Sequence, residues 1–352
     1  MEGAKARTTA KRPGNAGRVL RGGIDLGGTK VEAIVVDDAN TILASSRHPT
    51  PSSGGPADVA AEMAGAMASA CKAAGIEPAE LLGVGVGSPG VVDQATGIVS
   101  TARNLPGWER SYPLGPELEA KLGTKVVIGN DVQVATDAEF ALGAGRPYKS
   151  LLGVFWGTGV GGGLILDGKP WVGRGGGGEI GHVVVEIDGA RCPCGRRGCM
   201  EAYAGRAAME ARARKRQKEQ PTDLFKIMKE RGRTKLTSSV WARALDRGDK
   251  LTVELIDDAV RALGAGIAST LNLLDVPAVV IGGGLGVRLG EPYVKRIRKA
   301  MQPHLFNDAN PPDVLPAALG DAGGAIGAAL LVKSAVARRP PARRTTRAAT
   351  RA

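Results

Sequence analysis

Apolar residues recur along the chain in two spacings. Short runs bounded by glycine read as strands, and longer stretches with apolar positions three and four apart read as helices. Residues 23–26 form the first predicted strand, followed by a glycine turn, a second strand over 31–36 and a third over 41–46. Residues 58–74 carry Ala and Met at helical spacing, with Gly75 placed to stop the helix. A buried strand over 82–86 enters Gly87-Ser88-Pro89-Gly90. A short helix over 117–122 and a strand over 126–128 lead to Asn130-Asp131, and a helix over 132–142 follows.

The pattern then begins again. Residues 151–156 read as a strand, 157–163 as a glycine loop and 164–166 as the returning strand. Two heavily charged helices over 200–219 and 223–231 precede a long apolar helix over 251–274. A buried strand over 278–281 enters the glycine segment 282–286, and a small-residue helix spans 323–337. A strand, a glycine turn and a strand thus occur together twice, around 25–30 and 157–163, each time opening a mixed α/β block. This predicts two related α/β domains facing one cleft. The first would span residues 23–142, completed by the helix 323–337, and the second residues 143–322.

Composition changes this picture in three places. The hydrophobic fraction of 43% lets the middle of the 352-residue chain bury a core. The 52 glycines follow no collagen period, so they point to tight turns and close backbone approach to a ligand. The net charge of +12 is local: residues 1–22 hold +5 and residues 338–352 hold +6, which leaves +1 for everything between. A nucleic-acid-binding fold usually carries its basic patch on a structured face, and the body of this chain is nearly neutral. The two tails have almost no large apolar residues and are expected to be disordered. They read either as solubilising extensions or as a weak, salt-sensitive contact for a polyanion.

No apolar segment follows the basic N-terminus, and no run of about 20 apolar residues occurs. The stretch 259–284 comes closest, but Arg261, Asp275 and Pro277 interrupt it. A cytoplasmic protein without a membrane partner is expected. In a reducing compartment the clustered Cys192, Cys194 and Cys199 read as metal ligands before disulfides.

Five elements carry candidate chemistry. The first is Gly23-Ile24-Asp25-Leu26-Gly27-Gly28-Thr29-Lys30. Adjacent glycines let successive N–H groups approach phosphate oxygens, Thr29 adds a hydroxyl, and Asp25 could hold Mg²⁺ through water. The segment lacks the G-K-[ST] element of a P-loop, and a strand follows it where a dinucleotide fingerprint needs a helix. The plain alternative is a glycine hairpin. The second element is Gly157-Thr158-Gly159-Val160-Gly161-Gly162-Gly163, and the third Ile281-Gly282-Gly283-Gly284-Leu285-Gly286. Together the three suit a nucleotide, two for its phosphates and one for its adenosine.

The fourth element is His182 followed by Cys192-Pro193-Cys194-Gly195-Arg196-Arg197-Gly198-Cys199. Three thiolates and an imidazole satisfy a tetrahedral Zn²⁺, and a site with four protein ligands is structural. Free buried cysteines are the alternative. The fifth is a set of polar groups. Asn130-Asp131 lies at a strand end, where α/β proteins place ligands. A carboxylate there can take a proton from an attacking hydroxyl, although a helix N-cap is the commoner use of such an Asp. Asn104, Glu179 and Glu201 suit sugar hydroxyls, while Trp108 reads as a packed aromatic as readily as a sugar platform.

Taken together these residues resemble the ROK family of sugar kinases and sugar-responsive repressors. Its most specific signature is Glu179-Ile180-Gly181-His182 followed by Cys-x-Cys-Gly-x-x-Gly-Cys-x-Glu ending at Glu201, and the likeness runs from about residue 22 to 335. The resemblance implies a two-domain actin/hexokinase-like (ribonuclease H-like) fold with nucleotide and sugar in the cleft. It implies that Asp25, Gly27, Gly28, Thr29, Lys30, Gly157, Thr158, Gly159 and Gly161 bind the ATP phosphates with Mg²⁺, and that Gly283 and Gly284 approach the adenosine. Asp131 would be the general base. Asn104, Asn130, Asp131, Glu179, His182 and Glu201 would bind the sugar, with His182 also on the zinc of Cys192, Cys194 and Cys199. The implied reaction is phosphorylation of a hexose, glucose foremost, at its 6-hydroxyl. N-acetylhexosamine kinase, fructokinase and polyphosphate-using glucokinase are the alternatives. A homodimer or homotetramer is the expected assembly. A repressor is disfavoured, because the 22 residues before Gly23 are too few for a winged helix-turn-helix domain. One departure stands out: the family usually has Ala-Asn after Asn-Asp, and this chain has Val132-Gln133. Altered local packing with unaltered chemistry is expected there.

Overall fold

Two five-stranded sheets of the same topology organise the chain in the computed structural model, which describes residues 18–102 and 105–337. In the first half, β1 (Arg21–Leu26), β2 (Lys30–Val36) and β3 (Ile42–Pro49) form an antiparallel meander. Helix α1 (Pro56–Ala74) crosses over to β4 (Val84–Ser88), which lies parallel to β1. A small hairpin, β5 (Val91–Asp93) and β6 (Ile98–Ser100), and helix α2 (Leu114–Leu122) lead to β7 (Val126–Asn130), parallel to β4. The sheet order is therefore β3-β2-β1-β4-β7. Parallel neighbours need long crossovers, which the helices supply. Helix α3 (Asp131–Leu142) leaves β7 at once.

The second half repeats this order. The meander is β8 (Leu151–Trp156), β9 (Val160–Leu166) and β10 (Lys169–Pro170). Helices α4 (Met200–Ala204), α5 (Arg206–Arg216), α6 (Leu224–Glu230), α7 (Ser238–Asp246) and α8 (Lys250–Leu274) form the crossover to β11 (Ala278–Gly282). After α9 (Gly283–Met301) comes β12 (Asp313–Pro316), giving the order β10-β9-β8-β11-β12. Helix α10 (Gly323–Ala337) then returns to the first sheet, packing on β1, β4 and α3.

One core lies between the first sheet and α1 and α2, built from Ile24, Val31, Met63, Met67 and Leu118. A larger one joins the second sheet to its helices through Trp156, Trp241, Leu255, Ile267 and Ile281. Trp108 belongs to the first core: it meets Tyr112 edge-on, and its Nε1–H donates to the Val99 carbonyl at 3.2 Å. That is the packed-aromatic reading of this residue.

Several expectations change. The first strand begins at Arg21, and residues 20 and 21 are buried. The Arg21 guanidinium donates to the carbonyls of Asp37 and Ala329 and to Asn40 Oδ1, so it is part of the fold and not of a tail. Residues 1–17 and 338–352, the bulk of the basic tails, lie outside the described residues. The helix expected over 200–219 is broken at Gly205. Helices α7 and α9 and strand β12 were not predicted; the glycines opening α9 and Pro292 within it hide its periodicity. Much of the glycine excess serves packing. A Cβ on Gly85 would fall 1.7 Å from the Ala328 carbonyl oxygen, so only glycine lets α10 approach the sheet this closely. No described helix is long and apolar enough to cross a membrane.

Candidate active site

The carboxyl ends of β1, β4 and β7 meet at one edge of the first sheet, with Asp25 opposite Gly87 and Ser88 opposite Asn130. Asp25 lies against the first turn of α10, where a Cβ on Gly324 would sit 2.7 Å from its carboxyl carbon. Burial pushes the Asp25 carboxyl up to about 6, against the opposing pull of Lys30.

Asn130 Oδ1 accepts the N–H groups of Val132 and Gln133, each at 3.1 Å, and so caps α3. The capping alternative for Asp131 is thereby answered: Asn130 does that work. Asp131 is the first helical residue, with Oδ1 3.0 Å from the Val132 nitrogen. Its carboxyl is pushed up to about 7, by burial first and then by the charge of Asp25, with Glu179 contributing less. A group near neutrality can both accept and release a proton at physiological pH.

The Val132-Gln133 departure has a structural reason. The Gln133 amide bonds both backbone groups of Leu164 on β9, donating to its carbonyl at 3.3 Å and accepting its N–H at 3.1 Å. Val132 fills the space over Gly161, where a Cβ would come within 2.6 Å of its Cγ2. Residues 160–163 are therefore strand, not loop, and Gly161 is a packing position where a phosphate contact was expected.

The true turn is Gly157-Thr158-Gly159, closed by the Gly157 N–H donating to the Gly159 carbonyl at 3.0 Å. The parallel pairing of β8 and β11 sets Gly283 and Gly284 beside it, and a Cβ on Gly157 would stand 3.8 Å from the Gly284 nitrogen. The third glycine element is thus the N-terminus of a helix, not a loop, and Gly283 takes the left-handed φ of 79° there. Free N–H groups and the helix dipole favour an anion at such an end.

On the opposite strand pair, the turn at Gly27, Gly28 and Thr29 is closed by the Gly27 N–H donating to the Lys30 carbonyl at 2.9 Å, with Thr29 exposed. Lys30 pairs with a neighbour on its own strand while its charge still acts on Asp25. Its Nζ is 2.6 Å from Glu32 Oε2, and Arg47 adds a second cation to the same carboxylate at 2.9 Å.

His182, Cys192, Cys194 and Cys199 converge, all four donor atoms lying within 4.8 Å of one another. The Cys194 and Cys199 sulfurs are 3.7 Å apart, and Cys192 Sγ is 3.9 Å from His182 Nδ1. Two thiolates on one tetrahedral zinc, each at about 2.3 Å, stand about 3.8 Å apart. The cluster could hold such an ion. His182 Nε2 lies 3.8 Å from Oε2 of the exposed Glu179. Glu201 bridges the two regions: one oxygen accepts the Val160 N–H at 2.8 Å, and the other lies 3.9 Å from Cys192 Sγ. Asn104 lies outside the described residues.

Some residues here were not singled out from the sequence. Arg47 and Asp321 act electrostatically on Asp25, Ser238 lies against Gly284, and Arg206 bonds Thr158. None sits in a spaced motif; only an arginine at a helix start without a following acid in its first turn hinted at Arg206.

Two α/β halves of one topology, joined by α3 and α10 and lined by glycine turns and two carboxylates at their strand ends, define the actin/hexokinase-like fold. Within that class the chain belongs to the ROK family, which it matches over residues 21–335. It is 32% identical over 316 residues to the glucokinase of Streptomyces coelicolor, covering 88% of this chain and 96% of that one. It is also 32% identical over 325 residues to the N-acetyl-D-glucosamine kinase of Pectobacterium atrosepticum, covering 88% and 97%. Among solved structures it is similar to a ROK family glucokinase from Streptomyces griseus in complex with glucose and AMPPNP. That likeness has 32% identity and a TM-score of 0.78, and covers 90% of this chain and all of the other.

Proposed function

We propose that this protein transfers the γ-phosphoryl group of ATP to the 6-hydroxyl of a hexose, with glucose as the main substrate. The observation that carries the reading is Asp131: relieved of capping by Asn130, its carboxyl pushed up to about 7 by burial and then by the charge of Asp25. The hydroxyl oxygen bonds to the γ-phosphorus as the bridging P–O bond to ADP breaks, and the hydroxyl proton passes to Asp131. The turns at Gly27, Gly28 and Thr29 and at Gly157, Thr158 and Gly159 present N–H and hydroxyl donors to the phosphates, and the N-terminus of α9 at Gly283 and Gly284 adds its dipole.

Asp25 would hold Mg²⁺ through water, and that ion would neutralise developing phosphate charge. The sugar would lie against Asn130, Glu179 and His182. A zinc on Cys192, Cys194, Cys199 and His182 Nδ1 would fix the ring so that Nε2 faces the sugar. Glu201, which accepts the Val160 N–H, acts in this reading as a strut between that cluster and the phosphate turn.

The likeness to an N-acetyl-D-glucosamine kinase keeps a second sugar class open. A panel of glucose, mannose, fructose, N-acetylglucosamine and N-acetylgalactosamine at fixed ATP, followed by ADP release, tests both. Preference for glucose supports the reading, preference for an acetamido sugar replaces it, and no ADP release with any sugar removes it. Long-chain polyphosphate in place of ATP tests the donor.

A further inference from the structure

Arg206 opens α5 directly against the phosphate turn. Its own N–H donates to the Gly157 carbonyl at 3.1 Å, and that of Ala207 to the Thr158 carbonyl at 3.0 Å. The side chain also reaches the turn: Nη2 donates to Thr158 Oγ1 at 2.7 Å, while Nη1 donates to the Leu236 carbonyl at 2.8 Å. The Nε atom is buried and makes no hydrogen bond within the described residues. No carboxylate pairs with this cation there. Glu210, the acid whose charge it feels, gives its oxygens to Arg214 and to the Leu236 N–H.

A guanidinium keeps its charge at physiological pH and offers five N–H donors, of which two are used here. An arginine buried at its Nε end and met only by neutral acceptors is costly to desolvate. Its Nη2 end meets Thr158 at the exposed rim, where a ligand can reach it. A negatively charged group at the turn would supply the missing counter-charge.

We propose that Arg206 is a donor-binding residue: it locks Thr158 and the 157–159 turn in place and presents a positive charge to the phosphate chain of the nucleotide. The assignment rests on the kinase reading above. Lysine could not replace it, because one ammonium cannot span Thr158 Oγ1 and the Leu236 carbonyl together.

Steady-state kinetics with each substrate varied at saturation of the other provide the test. Arg206→Ala should raise the KM for ATP about 10- to 100-fold, the range for losing a charge-assisted hydrogen bond, with the hexose KM within about twofold of wild type. Arg206→Lys should fall between. Since Arg206 also braces Leu236, Thr158→Val removes the acceptor while leaving Arg206 and its Leu236 contact intact. The double variant should raise the ATP KM by less than the product of the two single effects, because both remove one contact. An unchanged ATP KM in Arg206→Ala, an equal rise in both KM values, or fully multiplicative effects would overturn the assignment. Calorimetric ATP binding needs no turnover. It reports on Arg206 even where no sugar is phosphorylated, so failure of the kinase reading and failure of this assignment are told apart.

Discussion

Replacing Asp131 by Asn removes a charge and a proton acceptor while keeping size and shape. Loss of a general base lowers turnover by about 10²–10⁴-fold, and the variant should fall in or below that range. The wild-type pH profile follows from the same geometry. Burial, and then the charge of Asp25, push the Asp131 carboxyl up to about 7. Only the ionised form accepts the hydroxyl proton, so kcat/KM for the hexose should fall about tenfold between pH 8 and pH 6. Asp25→Asn removes the neighbouring negative charge, and its residual activity should show a midpoint at lower pH.

Stability should move in the opposite direction to activity. A carboxyl raised in the folded state from its ordinary value of 3.8 favours folding below that value, and the benefit is lost as pH rises through about 7. At pH 8 the ionised Asp131 therefore costs the fold on the order of 2–4 kcal/mol. Asp131→Asn avoids that cost. Its melting temperature should exceed wild type at pH 8, and the gain should shrink as pH falls from 7 towards 4. Rapid-quench or coupled assays for phosphate transfer, and thermal melts at pH 5 and pH 8, measure the two effects. Near-normal turnover in Asp131→Asn, or a wild-type rate flat from pH 6 to pH 8, would refute the assignment.

Three further outcomes are expected. Cys194→Ser should lower metal content from about one zinc per chain and raise the hexose KM, since His182 would lose its anchor; elemental analysis beside kinetics checks this, and fully active metal-free wild type would contradict it. Gly161→Ala should cost about 1–3 kcal/mol through its clash with Val132, and adding Val132→Ala should restore most of the melting temperature; failure of that rescue would return Gly161 to the ligand site. Deleting residues 1–17 and 338–352 should leave kcat/KM for ATP unchanged and abolish retention on a polyanion column at low salt, whereas equal retention would show that the tails are not the binding element.

Local spacing made part of this protein legible in the amino-acid sequence. The paired strand, glycine turn and strand appeared twice because strand and turn preferences act over a few residues, and both pairs form, the second with a longer returning strand than expected. The Cys/His cluster was legible for the same reason: its four residues fall between positions 182 and 199, and short glycine-containing loops leave them little choice but to converge. Asn130-Asp131 was recognisable as a strand-end pair, yet which of the two caps α3 depended on the direction each side chain takes.

The tertiary structure decided what those local signals leave undetermined. A glycine looks the same in sequence whether its missing Cβ makes room for a phosphate or for a neighbouring element. Gly161 and Gly85 proved to be of the second kind only once Val132 and the Ala328 carbonyl were set against them. Lys30 had the chemistry of a phosphate ligand, but strand geometry puts it and Glu32 on one side of β2, and the carboxylate holds it. Gln133 finds the backbone of Leu164, 31 residues away, and Arg206 finds Thr158, 48 residues away. Such pairs leave no period or spacing in the chain, because they depend on how helices and sheets pack and not on how any one of them forms.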